Sequence, residues 1–505
     1  QQHQKQPQKK HQNHVKKIVQ VALQKGFDAL LDLQKKQWDK IWEMADISIE
    51  GDIKAQQGIR FNIFQLNQTY TGKNPLLNIG PKGFTGEKYG GSTYWDTEAY
   101  CFPFYMATKN ELVAENLLNY RYNHLEKAIE NAAKLGFTDG AALYPMVTMN
   151  GEECHNEWEI TFEEIHRNAA IAFAIYNYER YTGKTVYFET KGIDVLVGIV
   201  RFWTQRMNFS VQKNQYVILG VTGPNEYENN VDNNWYTNYA AKWCLEYVCI
   251  RLAQILKEKP NVHKAIYDRL GLSKSEVLDW KEKSIGIYLP YDSRHGVFLQ
   301  QDGFLDKDLK KASLIPSKQR PLNQHWSWDR ILRSPYIKQA DVLQGFYFFE
   351  DHFSSDQLKN NFDFYEPYTV HESSLSPSIH AVLAASLGRV EQAYNFYLQT
   401  SRLDLDDYNA EVDEGLHITS MAGTWISIVE GFGGMRIKND AIYFSPQLPK
   451  AWDSFSFKIN FRNSVIELSV SKKSSSLRLI EGVPVSVFLN KKQVILNTEP
   501  SIKHP

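Results

Sequence analysis

Residues 162–183 of the chain read FEEIHRNAAIAFAIYNYERYTG. Apolar side chains recur along this stretch at the spacing of one helix face. Gly183 follows the last of them, where a residue in the left-handed conformation commonly ends a helix. Similar patterns occur at residues 195–206 and 376–388, where Ser376 is predicted as the N-cap and Pro377 as the first helical residue. Together these patterns predict a mainly helical protein, an all-α barrel or toroid whose functional loops gather at one end.

The two ends of the chain differ from this helical centre. Residues 1–14 are polar and of low complexity, which predicts a disordered leader. Helical spacing begins near Val15 and continues to about residue 437, which predicts helices over residues 15–50 and 51–437. From about residue 438 the apolar period becomes two, as in Phe455, Phe457, Ile459 and Phe461. A small antiparallel β domain is therefore predicted over residues 438–505.

Composition narrows the classes of function. The net charge is −1, which argues against binding to nucleic acid or to an anionic membrane. No apolar run reaches the ~18 residues of a membrane span. The four cysteines are scattered without metal-ligand spacing, which predicts reduced thiols in a cytoplasmic protein and no metal site. With 12 Trp, 28 Tyr and 27 Phe, the chain has aromatic side chains to spare for stacking on sugar rings.

A carboxylate-bearing turn is the first candidate for chemistry. Residues 221–238 read VTGPNEYENNVDNNWYTN, in which TGPNE predicts a turn that presents Glu226, with Glu228 two residues later. The surrounding asparagines offer hydrogen bonds but no positive charge. A desolvated carboxyl without a counter-cation has a raised pKa, as a general acid requires. The alternative is an Asn-rich loop whose glutamates are merely solvated.

Three further stretches combine chemistry-bearing residues in loops. Trp95 beside Asp96 is a pattern that holds sugars, although a core tryptophan followed by a capping aspartate would look the same. Residues 319–345 carry basic residues and tryptophans ahead of Lys338 and Gln339, and either Arg330 or Arg333 could instead form a helix-surface ion pair. The third pattern joins histidines with hydroxyl residues near helix starts, a setting that suits an anion: Ser373, Ser374, His417, Thr419 and Ser420. His371 and His380 are interpreted as structural.

These stretches together resemble glycoside hydrolase family 65, and within it the phosphorylases that act on maltose. The resemblance rests on residues 88–100 (KYGGSTYWDTEAY), 154–183, 221–238, 319–345 and 415–425 (GLHITSMAGTW). It implies linker helices over residues 15–50, an (α/α)6-barrel catalytic domain over residues 51–437 and a small β domain after it. Family members carry an N-terminal β-sandwich before the linker helices, a domain that these residues would lack, and they form homodimers.

The resemblance also implies the roles of particular residues. Glu226 matches the proton donor, while Trp95 with Asp96 and Lys338 with Gln339 match the substrate-binding pairs. The phosphate is expected at Ser373, Ser374, His417, Thr419 and Ser420. The implied reaction is inverting phosphorolysis of maltose to β-D-glucose 1-phosphate and glucose, with phosphate as co-substrate and no cofactor.

Phosphate is itself an anionic nucleophile, so such an enzyme needs an acid but no carboxylate base. An inverting hydrolase of the same fold would need that base, for which Glu366, Glu372, Asp413 and Glu414 are the candidates. Two further alternatives stay open. One is a phosphorylase of kojibiose, nigerose or trehalose, and the other is a sugar-binding protein without catalysis.

Overall fold

The structure is a computed structural model that describes residues 2–155, 158–497 and 502–504. It divides into a unit that ends at Asp46 and a larger unit that begins at Ile47. The first unit contains helices α1 (Gln2–Lys25) and α2 (Phe27–Ala45), separated by Gly26 with φ 76°. Residues 2–14, which were predicted as part of a disordered leader over residues 1–14, lie in α1. Glutamine and lysine dominate this segment, and both have helix propensities close to that of alanine.

The larger unit is a ring of helices followed by a β domain. Successive helices pack in pairs, such as α9 on α10 and α17 on α18, and α19 packs against α3 to close the ring. Its helices are α3 (Ile53–Thr69), α4 (Phe102–Thr108), α5 (Glu111–Asn123), α6 (Leu125–Lys134), α7 (Trp158–Glu163), α8 (Arg167–Thr182), α9 (Ile193–Arg206), α10 (Trp235–Glu258), α11 (Pro260–Leu270), α12 (Lys274–Gly286), α13 (Leu322–His325), α14 (Trp328–Leu332), α15 (Val342–Phe348), α16 (Ser355–Tyr365), α17 (Ser376–Ser386), α18 (Val390–Ser401) and α19 (Ile418–Ile426).

The helices at the predicted stretches illustrate how local sequence sets their ends. α8 ends at Gly183, whose φ of 72° lies in the left-handed region, as expected. α17 differs from the prediction, because Leu375 is its N-cap and Ser376 is already helical. The hydroxyl of Ser376 instead hydrogen-bonds His371 Nδ1 at 2.8 Å.

The strands form two larger sheets and two short hairpins. Their bounds are β1 (Ile47–Glu50), β2 (Asn208–Ser210), β3 (Gln215–Val217), β4 (Tyr291–Asp292), β5 (Val297–Phe298), β6 (Arg436–Lys438), β7 (Ala441–Phe444), β8 (Ser454–Phe461), β9 (Ser464–Ser471), β10 (Ser475–Gly482), β11 (Val485–Leu489), β12 (Lys492–Leu496) and β13 (Ile502–His504). One sheet has the order β1-β8-β9-β10-β13 and is antiparallel, whereas β12-β11-β7-β6 contains the parallel pair β7–β11.

The β domain was predicted in its essentials, with three differences, the first being the parallel pair β7–β11 in a domain predicted to be antiparallel. The four phenylalanine and isoleucine side chains of β8 are all buried, as period two requires. However, β1 lies inside the segment predicted as linker helices over residues 15–50, and it pairs with β8, with Ile49 opposite Phe455. Ile47 and Ile49 are both buried, and a four-residue strand is too short for its period to stand out next to long helices. The domain also begins at Arg436, slightly before residue 438.

Trp452 joins the ring of helices to the β domain. Its side chain is fully buried and its ring centroid lies 5.4 Å from that of Tyr397, 5.0 Å from Phe432 and 5.6 Å from Phe455. Aromatic packing around this single indole therefore fixes the β domain against α18 and the end of the ring.

No helix among the described residues is both long and apolar enough to cross a membrane.

Replacing Trp452 by alanine should lower the free energy of unfolding by about 3–5 kcal/mol, because a buried tryptophan leaves a large cavity. Chemical denaturation followed by circular dichroism would measure the loss. Leu314→Ala is the matched control, since Leu314 is 70% exposed and should cost little. Equal losses for both variants would contradict this view of the interface.

Candidate active site

Loops of the larger unit line a cavity of about 650 Å³. Most of the sequence-predicted site residues meet there: Trp95, Asp96, Glu226, Lys338, Ser373, Ser374 and His417. Gln339, Thr419 and Ser420 lie behind this lining. Thr419 and Ser420 belong to the first turn of α19, and Gln339 is buried with its Oε1 lacking a hydrogen-bond partner in the described part of the chain.

The turn that carries Glu226 is held from beneath by Asp341. The backbone N–H of Asn225 donates to Asp341 Oδ2 at 3.1 Å, and Asn234 Nδ2 donates to Asp341 Oδ1 at 3.0 Å. A Cβ on Gly223 would lie 2.3 Å from both Asn234 Nδ2 and Asp341 Oδ2, so only glycine fits this close approach. Burial raises the pKa of Asp341 to about 7, although the hydrogen bonds from Asn225 and Asn234 oppose that rise.

Glu226 has a counter-cation, contrary to the sequence prediction. Lys338 Nζ donates to Glu226 Oε2 at 2.5 Å. The backbone N–H of Lys338 also donates to Asn225 Oδ1 at 2.9 Å, which ties the lysine segment to the glutamate turn. Burial lowers the pKa of Lys338, but the charge and hydrogen bond of Glu226 outweigh it and raise that pKa overall. Sequence analysis did not predict this ion pair because its two residues are 112 positions apart in the chain.

Glu228, considered together with Glu226 from the sequence, has a structural role. Its carboxylate forms a buried ion pair with Lys307, which also donates to Leu332 O at 2.7 Å and to Ser334 O at 3.0 Å. Burial raises the pKa of Glu228 to about 7, and the charge of Lys307 limits that rise. Glu228 thus anchors the far side of the loop rather than the cavity.

Glu164 is a cavity carboxyl that sequence reasoning missed. It is 4% exposed, it lines the cavity, and its Oε1 lacks a hydrogen-bond partner within the described ranges. Burial, and then the charge of Glu226, raise the pKa of Glu164 well above its ordinary value. A neutral carboxyl can donate a hydrogen bond to a bound hydroxyl, which a carboxylate cannot. The only sequence signal was the paired acid in FEEIH.

The Trp95–Asp96 pair takes part in the cavity wall. The Trp95 ring is 7% exposed and meets His166 edge-on, with ring centroids 4.8 Å apart. Asp96 Oδ1 accepts a hydrogen bond from Thr419 Oγ1 at 2.7 Å, and no side-chain cap is formed, so the capping alternative is excluded. Burial raises the pKa of Asp96 to about 6, while the Thr419 hydroxyl opposes the rise.

Opposite charges meet around His417, another residue that lines the cavity. His417 Nδ1 contacts Asp404 Oδ1 at 2.7 Å, and His417 Nε2 lies 2.9 Å from Lys82 Nζ. Burial lowers the pKa of His417, but the hydrogen bonds to Asp404 and Glu411 raise it overall. Lys82 is 4% exposed and, like Lys88, lines the cavity. Lys82 has no motif around it in the sequence, so only the fold brings it to this place.

The hydroxyl residues predicted around an anion are divided between two places. Ser373 and Ser374 line the large cavity and also a small one of about 10 Å³ with Ser420. Ser420 Oγ donates to Thr400 O at 2.9 Å, so its hydroxyl is already committed. Together with the hydrogen bond from Thr419 to Asp96, this leaves Ser373, Ser374 and His417 as the members of the predicted set that face the cavity.

The carboxylates considered as general bases are engaged or lie elsewhere. Glu372 accepts from Arg320 Nε at 3.0 Å, from Tyr227 Oη at 2.8 Å and from the Leu322 N–H at 2.8 Å. Glu414 accepts from Lys88 at 2.5 Å. Glu366 and Asp413 are not among the described residues that line the cavity.

Arg330 and Arg333 are surface groups. Arg333 pairs with Asp329 at 2.9 Å one helical turn away, as the ion-pairing alternative expects. The Arg330 guanidinium lies 3.5 Å from the centroid of the Trp326 ring. Trp328 contributes to the cavity, where its Nε1 donates to Asn229 Oδ1 at 2.9 Å. Within residues 154–183, one of the stretches that carry the family resemblance, Asn156 and Glu157 lie outside the described residues.

The pKa of Asp341 makes stability depend on pH. An unfolded aspartate ionises near pH 4 and the folded one near pH 7, so between these values the folded state binds more protons. The free energy of unfolding of the wild type should therefore fall, relative to Asp341→Asn, as pH rises from about 4 to about 7. Denaturant titrations at several pH values measure the difference. Asp302→Asn is the control because Asp302 also accepts from an asparagine, at 2.8 Å, but is one-third exposed. Parallel curves for wild type and Asp341→Asn would contradict the assignment.

Comparison with known proteins places the chain in a family. The sequence matches the family model for the glycosyl hydrolase family 65 central catalytic domain over residues 60–426. It matches the glycosyl hydrolase family 65 C-terminal domain over residues 435–496.

Similar proteins share both sequence and fold. The maltose phosphorylase of Bacillus subtilis (strain 168) is 53% identical over 481 residues, which are 95% of this chain and 62% of that protein. The alpha,alpha-trehalose phosphorylase of Thermoanaerobacter brockii is 38% identical over 488 residues, again 95% of this chain and 62% of that protein. The chain thus spans less than two-thirds of the length of these relatives.

A solved structure from the human microbiome, provisionally named a kojibiose phosphorylase, superposes with a TM-score of 0.92 at 35% identity. The match covers 99% of this chain and 73% of that one. It confirms the predicted fold class, a helical barrel followed by a small β domain. The chain belongs to glycosyl hydrolase family 65.

Proposed function

We propose that the protein catalyses the inverting phosphorolysis of maltose to β-D-glucose 1-phosphate and glucose. The observation that carries the proposal is that one cavity is lined both by a glutamate on a fixed turn, Glu226, and by cationic and hydroxyl groups, those of Lys82, His417, Ser373 and Ser374. The 53% identity to a maltose phosphorylase supports maltose as the disaccharide.

In the proposed reaction Glu226 is the general acid. It donates its proton to the glycosidic oxygen as the bond from that oxygen to the anomeric carbon breaks. A phosphate oxygen attacks the same carbon from the opposite face, which inverts the configuration. Asp96 and Trp95 hold the glucosyl unit that is transferred, with Gln339 behind them. Phosphate is the co-substrate and no cofactor is part of the proposal.

The ion pair with Lys338 must open for this acid to work. A carboxylate bound to an ammonium group is held in its ionised form, which cannot donate a proton. Lys338 is also expected to bind the sugar, so substrate hydroxyls would take over its hydrogen bonds and release Glu226.

Phosphate would bind opposite, at His417, Lys82 and the hydroxyls of Ser373 and Ser374. A carboxylate free to act as a base there would repel phosphate. Glu372 is committed to three donors and Glu414 to Lys88, which disfavours the hydrolase alternative. The homodimer implied by the resemblance and the cytoplasmic location predicted from the cysteines remain proposals alongside this one.

Incubation with maltose, with and without phosphate, tests the proposal. Glucose and β-D-glucose 1-phosphate should appear together in equal amounts, and only when phosphate is present. Glu226→Gln should lower kcat by about 10²- to 10⁴-fold, because it removes the proton but keeps the shape of the side chain. Glu282→Gln, a change at an exposed glutamate, is the control.

Glucose released without phosphate would replace the proposal by the hydrolase. Products formed from kojibiose, nigerose or trehalose but not from maltose would correct the substrate alone. Activity retained by Glu226→Gln would remove Glu226 as the acid.

A further inference from the structure

A cluster of two histidines and a glutamate lies beside the active-site loop. Glu366 is at the end of α16, His371 lies in the following loop and His380 in α17. His380 Nδ1 lies 2.5 Å from Glu366 Oε2, and His371 Nε2 lies 3.4 Å from Glu366 Oε1. The three side chains place one nitrogen or oxygen each within 4.8 Å of one another.

The hydrogen bonding of this cluster is incomplete. His380 is completely buried, and both of its ring nitrogens lack a hydrogen-bond partner among the described residues. Glu366 Oε2 lacks one as well, so its 2.5 Å contact with His380 is close but not aligned as a hydrogen bond. Buried polar atoms without partners cost free energy, and a native structure rarely leaves several of them together.

His371 is oriented for the same point. Its Nδ1 is 2.8 Å from Ser376 Oγ, which leaves Nε2 directed to Glu366. A hydrogen bond to the second ring nitrogen commonly fixes the orientation of a metal-bound histidine. The backbone of His371 has φ 53°, a left-handed conformation that is uncommon for residues other than glycine. The fold therefore holds this ring in place by an unusual local geometry.

We propose that Glu366, His371 and His380 bind one divalent metal ion of the zinc class. Two imidazole nitrogens and one carboxylate oxygen form a common protein ligand set for zinc, and a water molecule would complete four-coordination. This departs from the sequence expectation of no metal, because the ligands are spaced 5 and 9 residues apart around a loop and form no recognised motif.

The proposed ion has a positioning role. Glu366 and His380 lie outside the described lining of the large cavity, whereas Ser373 and Ser374 line it. The ion would link the end of α16 to α17 on both sides of the loop that carries Glu372, Ser373 and Ser374. It would thus hold this loop without contacting the reacting atoms.

Metal analysis of the whole chain tests the site. The purified protein is dialysed against a chelator, exchanged into chelator-free buffer and titrated with Zn²⁺ in a calorimeter, and bound zinc is counted by mass spectrometry after gel filtration. We expect one zinc per chain and a thermal midpoint several degrees higher with zinc than without. Cobalt in place of zinc should give visible absorption bands of a four-coordinate site.

Glu366→Gln keeps the shape of the side chain and should abolish the bound zinc, the cobalt bands and the thermal shift. His371→Ala is a second variant, since His371 is partly exposed and its loss should leave the fold intact. His295→Ala is the control, because His295 pairs with Asp292 at 2.6 Å without a third ligand and should keep the bound zinc. Wild-type protein that takes up no zinc, or as little as folded Glu366→Gln, would overturn the proposal.

Discussion

The buried carboxylate of Asp341 is the constraint on which the candidate site depends. It accepts hydrogen bonds from the Asn225 backbone and from the Asn234 side chain, at the close approach that Gly223 allows. Asp341 lies three residues after Lys338, so the same short segment holds the Glu226 turn from beneath and supplies the cation above it. The placement of Glu226 therefore follows from the packing of two loops rather than from its own sequence neighbours.

Around this fixed turn, the carboxylates differ in their binding partners and therefore in the roles open to them. Glu228 is held by Lys307, Glu372 by Arg320 and Tyr227, and Glu414 by Lys88. Glu226 also has a cation, but that cation lies in the cavity, where a sugar can compete for it. Burial raises the pKa of Glu164 well above its ordinary value. Such an arrangement fits the proposed reaction, in which one proton donor and an anionic nucleophile act in the same cavity and no carboxylate base is needed.

Sequence patterns predicted the structural features that depend on local periodicity and on the family motifs. The period-two run of β8, the end of α8 at Gly183 and the meeting of Trp95, Asp96, Glu226 and Lys338 in one cavity are examples. Long-range pairings were not predicted, because no residue near Glu226 in the sequence indicates its ion pair with Lys338, and none near β1 indicates its pairing with β8. Lys82 and Glu164 were missed for the same reason. The left-handed His371 and the helical Ser376 depend on a side-chain contact that sequence spacing alone does not reveal.

The central claim is that phosphate, and not water, attacks the anomeric carbon in this cavity. The most direct measurement is turnover of maltose and phosphate in water enriched in ¹⁸O, with mass spectrometry of both products at early times. The account predicts that neither the sugar phosphate nor the free glucose gains solvent ¹⁸O beyond the slow exchange of free glucose alone. Rapid incorporation of one ¹⁸O at the anomeric carbon of half of the glucosyl units would identify water as the nucleophile and contradict it.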